Sequence, residues 1–191
     1  KVCSGEIMQT LRRRDLNITL AEYRRMIDLK TAELFRVSCF LGARLSGQDT
    51  DFAQAADRFG GHLGIAYQMY DDLVDFVGEE GRIGKTLGTD LATGKLTLPL
   101  MLLLEQVAEG ERAAIITAMR GGQPLGLLAS RQRMQELGIA TGGVLAIEAE
   151  LALAGEALAP YARLAPVPLM LQLGGMLRTQ VAALSGAVVS P

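Results

Sequence analysis

Three carboxylates and an amide gather in the segment Gly64-Ile65-Ala66-Tyr67-Gln68-Met69-Tyr70-Asp71-Asp72-Leu73-Val74-Asp75-Phe76. On a helix, where each residue turns about 100°, Asp57, Gly61, Gly64, Gln68, Asp71, Asp72 and Asp75 share one arc of roughly 100°. Leu63, Ile65, Ala66, Tyr67, Met69, Tyr70, Leu73, Val74, Phe76 and Val77 cover the other directions, with His62 the exception. An ordinary surface helix has the opposite arrangement, an apolar stripe beside a broad polar face. A helix buried on most sides is expected to turn its one polar seam toward an internal cavity. There Asp71, Asp72 and Asp75 repel one another unless cations hold them, and oxygen-only ligands select a hard ion such as Mg²⁺. A solvated acidic patch at a helix end is the alternative reading of the helix pattern alone.

The residues that follow supply the complementary charge. Gly84-Lys85-Thr86-Leu87-Gly88-Thr89-Asp90-Leu91-Ala92-Thr93-Gly94-Lys95-Leu96-Thr97-Leu98-Pro99 holds too many glycines for a stable helix and suits a structured loop. Lys85 and Lys95, each preceded by a glycine that lets the backbone approach a ligand, complement a metal-bound polyphosphate. As loop residues they are expected to contribute little to packing.

This combination resembles the trans-isoprenyl diphosphate synthases, the polyprenyl synthetase family, and in particular its long-chain members. A bare DDxxD is a weak signal. Gln68 ahead of Asp71-Asp72-x-x-Asp75, with GK-x-x-G-x-D-x-x-x-GK-x-T-x-P behind it, is a specific one. Earlier in the chain, Gly5, Glu6 and Gln9 resemble the family's G-E-x-x-Q segment, and Tyr23-x-x-x-Ile27-x-x-Lys30-Thr31-Ala32-x-Leu34-Phe35 resembles its lysine-threonine motif. By residue type alone Lys30 also reads as a surface lysine that snorkels. The resemblance implies that Asp71, Asp72 and Asp75 hold Mg²⁺. It implies further that Lys30, Thr31, Gln68, Lys85 and Lys95 bind the diphosphate of an allylic substrate, with the three lysines stabilising the leaving pyrophosphate during condensation with isopentenyl diphosphate. Asp72 is expected to tune the ligands beside it.

The resemblance runs from Gly5 to Arg178, with its specific motifs in the first hundred residues, and one feature departs from it. Family enzymes carry a first aspartate-rich motif facing the second, and no other DDxxD is present. The chain starts at Lys1, inside what reads as a helix, so it is expected to be the C-terminal part of such a synthase, with half of a three-metal site and no activity alone. A class I terpene cyclase would use the same ionisation, but the Asn/Asp, Ser/Thr, Glu pattern of its second metal motif is missing after Asp71. A non-catalytic fragment or partner subunit is the other alternative.

The elements that must position these residues read as helices throughout, with no strand-like alternation. Thr19 and Glu22 form a T-x-x-E capping box that opens a helix running to about Leu45. Thr50 or Asp49 caps the central helix. Pro99 sits in the first turn of a helix reaching about Ala108, with Leu98, Leu100, Met101, Leu102, Leu103 and Leu104 as core. Further helices are expected over Glu109 to Met119, Pro124 to Leu137, and Thr141 to Leu158, the last with Glu148, Glu150 and Glu156 on its wetter side, and a final one ending near Arg178. The expectation is one all-α domain over residues 1–191, a bundle of the isoprenoid synthase type lacking its N-terminal helices.

Composition narrows the class. With 191 residues, 49% of them hydrophobic, the chain can bury one sizeable core. A formal charge of −2 argues against nucleic acid. No apolar run approaches the length of a membrane span. Cys3 and Cys39 lack metal-ligand spacing and read as reduced thiols of a cytoplasmic protein. His62, among glycines, reads as packing. Without upstream helices the Tyr67 to Val77 stretch of the central helix is expected to leave an apolar surface that must be covered, and the family resemblance implies a homodimer.

Overall fold

The computed structural model describes residues 1–12, 15, 17–77, 90, 95–120 and 127–189. Among them are nine α-helices and no strand: α1 (Val2–Leu11), α2 (Leu20–Ile27), α3 (Glu33–Leu45), α4 (Thr50–Val77), α5 (Leu98–Gln106), α6 (Glu109–Arg120), α7 (Leu127–Glu136), α8 (Ile139–Leu158) and α9 (Pro166–Val189). A π-helical turn, Asp28–Ala32, joins α2 to α3. The all-α class read from the sequence holds.

The central helix is α4, packed chiefly between α3 and α8. Leu63, Ile65, Ala66, Met69, Leu73, Val74 and Phe76 are all buried on it. Tyr67 is exposed, its ring 5.6 Å from that of Phe35 and tilted 40° to it, and Tyr70 is half-buried. Asp49, not Thr50, caps α4, accepting the Phe52 amide at 2.7 Å. The capping box at Thr19 is present, with Glu22 and Thr19 bonded reciprocally. Pro99 lies in the first turn of α5, and Leu98, Leu100, Met101, Leu103 and Leu104 are core, whereas Leu102 is half-buried.

Several expected boundaries differ. α8 begins at Ile139, because Gly138 takes a left-handed φ of 64° and starts the helix before Thr141. α9 continues past Arg178, because Val181 and the half-buried Leu184 still pack on the core. The helix through Lys30 is not uniform, its Asp28–Ala32 stretch being one widened turn.

The polar seam of α4 does not face a cavity over its first half. At Gly64 an added Cβ would lie 2.6 Å from the Ala32 Cα, so the helices meet backbone to backbone. Glu150 overturns another expectation. It is 4% exposed, where the sequence placed it on the wet side of its helix. Arg24 grips both its oxygens, and His62 Nδ1 lies 2.8 Å from Oε2. This ion cluster ties α2, α4 and α8 together, and it satisfies a charge that would otherwise be costly to bury.

Two expectations follow from this packing. Gly64→Ala should lower Tm by several degrees, since α3 must shift at a cost of about 1–3 kcal/mol. Gly155→Ala, where nothing lies within 4 Å, should raise it through better helix propensity; equal effects at both sites would remove the close-approach account. Second, burial, Arg24 and Arg36 hold the His62 pKa below the usual imidazole range against the opposite pull of Asp28 and Glu156. As pH falls the unfolded chain therefore takes up a proton before the folded one, and stability is lost. Thermal melts between about pH 7 and 5.5 should be steeper in the wild type than in His62→Gln; parallel curves would show that His62 does not titrate against the fold.

Candidate functional site

The second half of the α4 seam carries the carboxylates. Asp72 has no exposed surface, Asp75 is 3% exposed, and Gln68 and Asp71 are half-buried. Asp72 is accommodated because three donors from three segments meet it. The Tyr23 hydroxyl donates to Oδ2 at 2.8 Å, and Gln68 Nε2 and Lys95 Nζ donate to Oδ1, each at 3.0 Å. Lys95 also donates to Asp90 Oδ2 at 2.9 Å, and the Asp90 amide donates to Asp75 Oδ2 at 3.0 Å. The described residues of the segment after α4 are thus tied back onto it through Asp90 and Lys95.

Charge states follow from these contacts. Burial works against the Lys95 ammonium, but Asp72 and Asp90 outweigh it and hold its pKa above the usual lysine value. Burial, helped by Asp72 and Asp75, raises the Asp90 carboxyl against the opposite pull of Lys95. Burial, then the neighbouring Asp72, pushes the Tyr23 phenol well above its ordinary range, so it stays a donor. The expectation that Lys95, as a loop residue, contributes little to packing is incorrect: its side chain is 18% exposed and it neutralises a fully buried carboxylate. Lys85, with the rest of residues 78–89, lies outside the described residues.

Of the two motif residues on the π turn, Thr31 reaches the seam and Lys30 does not. Thr31 Oγ1 donates to Gln68 Oε1 at 2.6 Å, which orients the amide so that its nitrogen faces Asp72. The widened turn matters for this contact. Eight residues separate Tyr23 from Thr31, about 80° out of line on a regular α-helix. One α turn of 3.6 residues followed by one π turn of about 4.4 makes two full turns, bringing both side chains onto α4. Lys30 instead meets α1, donating to Gln9 Oε1 at 2.6 Å and pairing with Glu6 at 2.8 Å. Gly5 permits this, since a Cβ there would lie 2.5 Å from the Lys30 amide nitrogen.

Asp71 and Asp75 stand one turn apart on one face and offer hard oxygen donors, Asp75 with one oxygen already accepting the Asp90 amide; Asp72 is engaged by Tyr23, Gln68 and Lys95. Among the described residues no three His, Cys, Asp or Glu side chains form a metal cage. That donor set suits Mg²⁺, which is commonly held by one or two carboxylates together with phosphate oxygens and not by protein alone. Sequence reasoning missed the Tyr23–Asp72 bond and the pairing of Lys30 with Glu6 and Gln9; the motif residues were visible, their partners were not.

An all-helical bundle whose buried carboxylate seam is met by Tyr23 of α2 and by Lys95 from beyond α4 fits the class of isoprenoid synthase-like folds. The sequence agrees: residues 1–124 match the family described as Polyprenyl synthetase, and the chain belongs to that family. Heptaprenyl diphosphate synthase component 2 of Bacillus subtilis is 39% identical over 118 residues, 62% of this chain and 34% of that protein. A decaprenyl diphosphate synthase from Rhodobacter capsulatus superposes with a TM-score of 0.78 at 31% identity, over 99% of this chain and 57% of the other. A polyprenyl synthase from Caulobacter crescentus, complexed with calcium and isoprenyl diphosphate, gives 0.87 at 28% identity, over 93% and 55%. The chain spans about a third of the length of the curated relatives it matches.

Truncating Lys95 leaves Asp72 and Asp90 without their cation. Lys95→Ala should destabilise the fold by on the order of 3 kcal/mol, read as a fall in Tm; an unchanged Tm would return Lys95 to the role of a solvated loop residue.

Proposed function

We propose that this chain forms one wall of a Mg²⁺-dependent prenyltransferase site that condenses an allylic prenyl diphosphate with isopentenyl diphosphate and releases pyrophosphate. The observation that carries the reading is the meeting of Thr31 from the π turn and Lys95 from beyond α4 on the carboxylate seam, through Gln68 and Asp72. Acidic groups for a metal and basic groups for a diphosphate then lie in one region.

In this reading Asp71 and Asp75 hold magnesium, and Asp72 anchors Lys95. When bound, Mg²⁺ neutralises the diphosphate oxygens. Lys30, Lys85 and Lys95 supply positive charge to the departing pyrophosphate, and Thr31 and Gln68 add hydrogen bonds that fix its orientation. The allylic carbon–oxygen bond breaks with its electron pair leaving on pyrophosphate. The isopentenyl double bond then forms the new carbon–carbon bond, and the proton lost in restoring a double bond passes to the released pyrophosphate. Lys30 exchanges Glu6 and Gln9 for phosphate oxygens as the substrate enters.

The same reading gives the chain a partner and a place. Exposed Leu34, Val37, Leu41 and Leu45 run along one face of α3, and a stripe of this kind supports a packed neighbour; a homodimer is the arrangement proposed. The printed name of the Bacillus subtilis relative, component 2, supports a second chain as well. Two free cysteines, Cys3 and Cys39, support a reducing, cytoplasmic setting. No helix among the described residues is long and apolar enough to cross a membrane.

Titration calorimetry with farnesyl diphosphate tests the site. Binding should need Mg²⁺ and weaken at least about tenfold in Asp71→Ala, as expected when a charge-neutralising contact is lost. Equal affinity in chelator, or in Asp71→Ala, would take the diphosphate away from α4.

A further inference from the structure

The phenol of Tyr23 lies in the core, buried against a carboxylate that also has no exposed surface. Its ring is 1% exposed and packed in the core. A phenylalanine would fill that space equally well, so the hydroxyl has to be explained by its partner. That partner is Asp72, on a different helix 49 residues away.

We infer that Tyr23 is a positioning residue: by holding Asp72 Oδ2 it turns Oδ1 toward Gln68 and Lys95, and through Gln68 it sets the orientation in which Thr31 is held. This rests on the reading of the site as a diphosphate site. The terminal torsion of an aspartate is soft, so a single pair of donors on Oδ1 would not fix the carboxylate plane. With the phenol absent, Oδ2 is a buried oxygen without a donor, and the group gains by rotating to share Lys95 between both oxygens. Gln68 Nε2 then loses its acceptor, and the 2.6 Å bond from Thr31 to Gln68 Oε1 loses the constraint that keeps the amide in place. Tyr23 and Thr31 lie on one helix and reach α4 at neighbouring turns, so the π turn and the phenol together register the lysine-threonine segment against the carboxylates.

The test is calorimetry of the 191-residue chain with inorganic pyrophosphate in saturating Mg²⁺, on wild type, Tyr23→Phe, Asp72→Asn and the double variant, with Tm measured on each. Tyr23→Phe keeps the ring and should weaken pyrophosphate about five- to tenfold, the scale of one charge-assisted hydrogen bond. The double variant should bind no more weakly than Asp72→Asn alone, because the phenol acts only through that carboxylate. A purely structural role predicts a lower Tm with unchanged affinity, and that result would overturn the inference, as would losses that multiply in the double variant. A folded wild type that takes up no pyrophosphate would overturn the reading of the site and this inference with it. Wild-type binding that is insensitive to Tyr23→Phe overturns the inference alone.

Discussion

A carboxylate with no exposed surface must be met by donors, and Asp72 sets much of the surrounding structure through that requirement. No single neighbouring segment could satisfy it. The donors come from α2, from α4 itself and from the residues after α4, so its burial brings three parts of the chain to one point. Lys95 adds the cation that makes the buried charge tolerable, and it carries Asp90, and through Asp90 the Asp75 contact, back onto the helix.

The packing of the helices follows from the same need. For Tyr23 and Thr31 both to reach α4, the helix between them has to lose its regular phase, and the π turn does this within Asp28–Ala32. Close contact of that turn with α1 and α4 then requires residues without a Cβ at Gly5 and Gly64. Ten residues nearer its start than Asp72, α4 is secured again, where Glu150 of α8 meets Arg24 and His62. The same central helix is thus held by polar contacts at two points along its length and by aliphatic packing.

The seam of Asp71, Asp72 and Asp75 was legible because a 3.6-residue period separates polar from apolar positions on a helix as long as α4. Caps were legible where side-chain chemistry is local, as at Thr19 with Glu22. What stayed hidden depends on contacts distant in sequence. Glu150 looks like any charged residue on an alanine-rich helix until Arg24, 126 residues away, is known to face it. Lys95 follows a glycine and reads as a loop lysine with little part in packing, yet a buried partner 23 residues back holds it. The π turn leaves no mark in residue type, so regular periodicity places Thr31 off the line of Tyr23. Beyond residue 124, where the family match ends, helices were readable but their bounds slipped by two residues at Ile139 and by about three turns past Arg178, to Val189.

The account makes Asp71 and Asp75 the metal-bearing carboxylates and Asp72 the anchor for a lysine, a division of labour among three adjacent acids that no activity measurement separates cleanly. Anomalous diffraction from crystals of the chain grown with Mn²⁺ and pyrophosphate does so directly. The result predicted is manganese density between the Asp71 and Asp75 carboxylates and the pyrophosphate oxygens, with Lys95 still bonded to Asp72. Manganese on Asp72 with Lys95 displaced, or pyrophosphate bound away from α4, would contradict it.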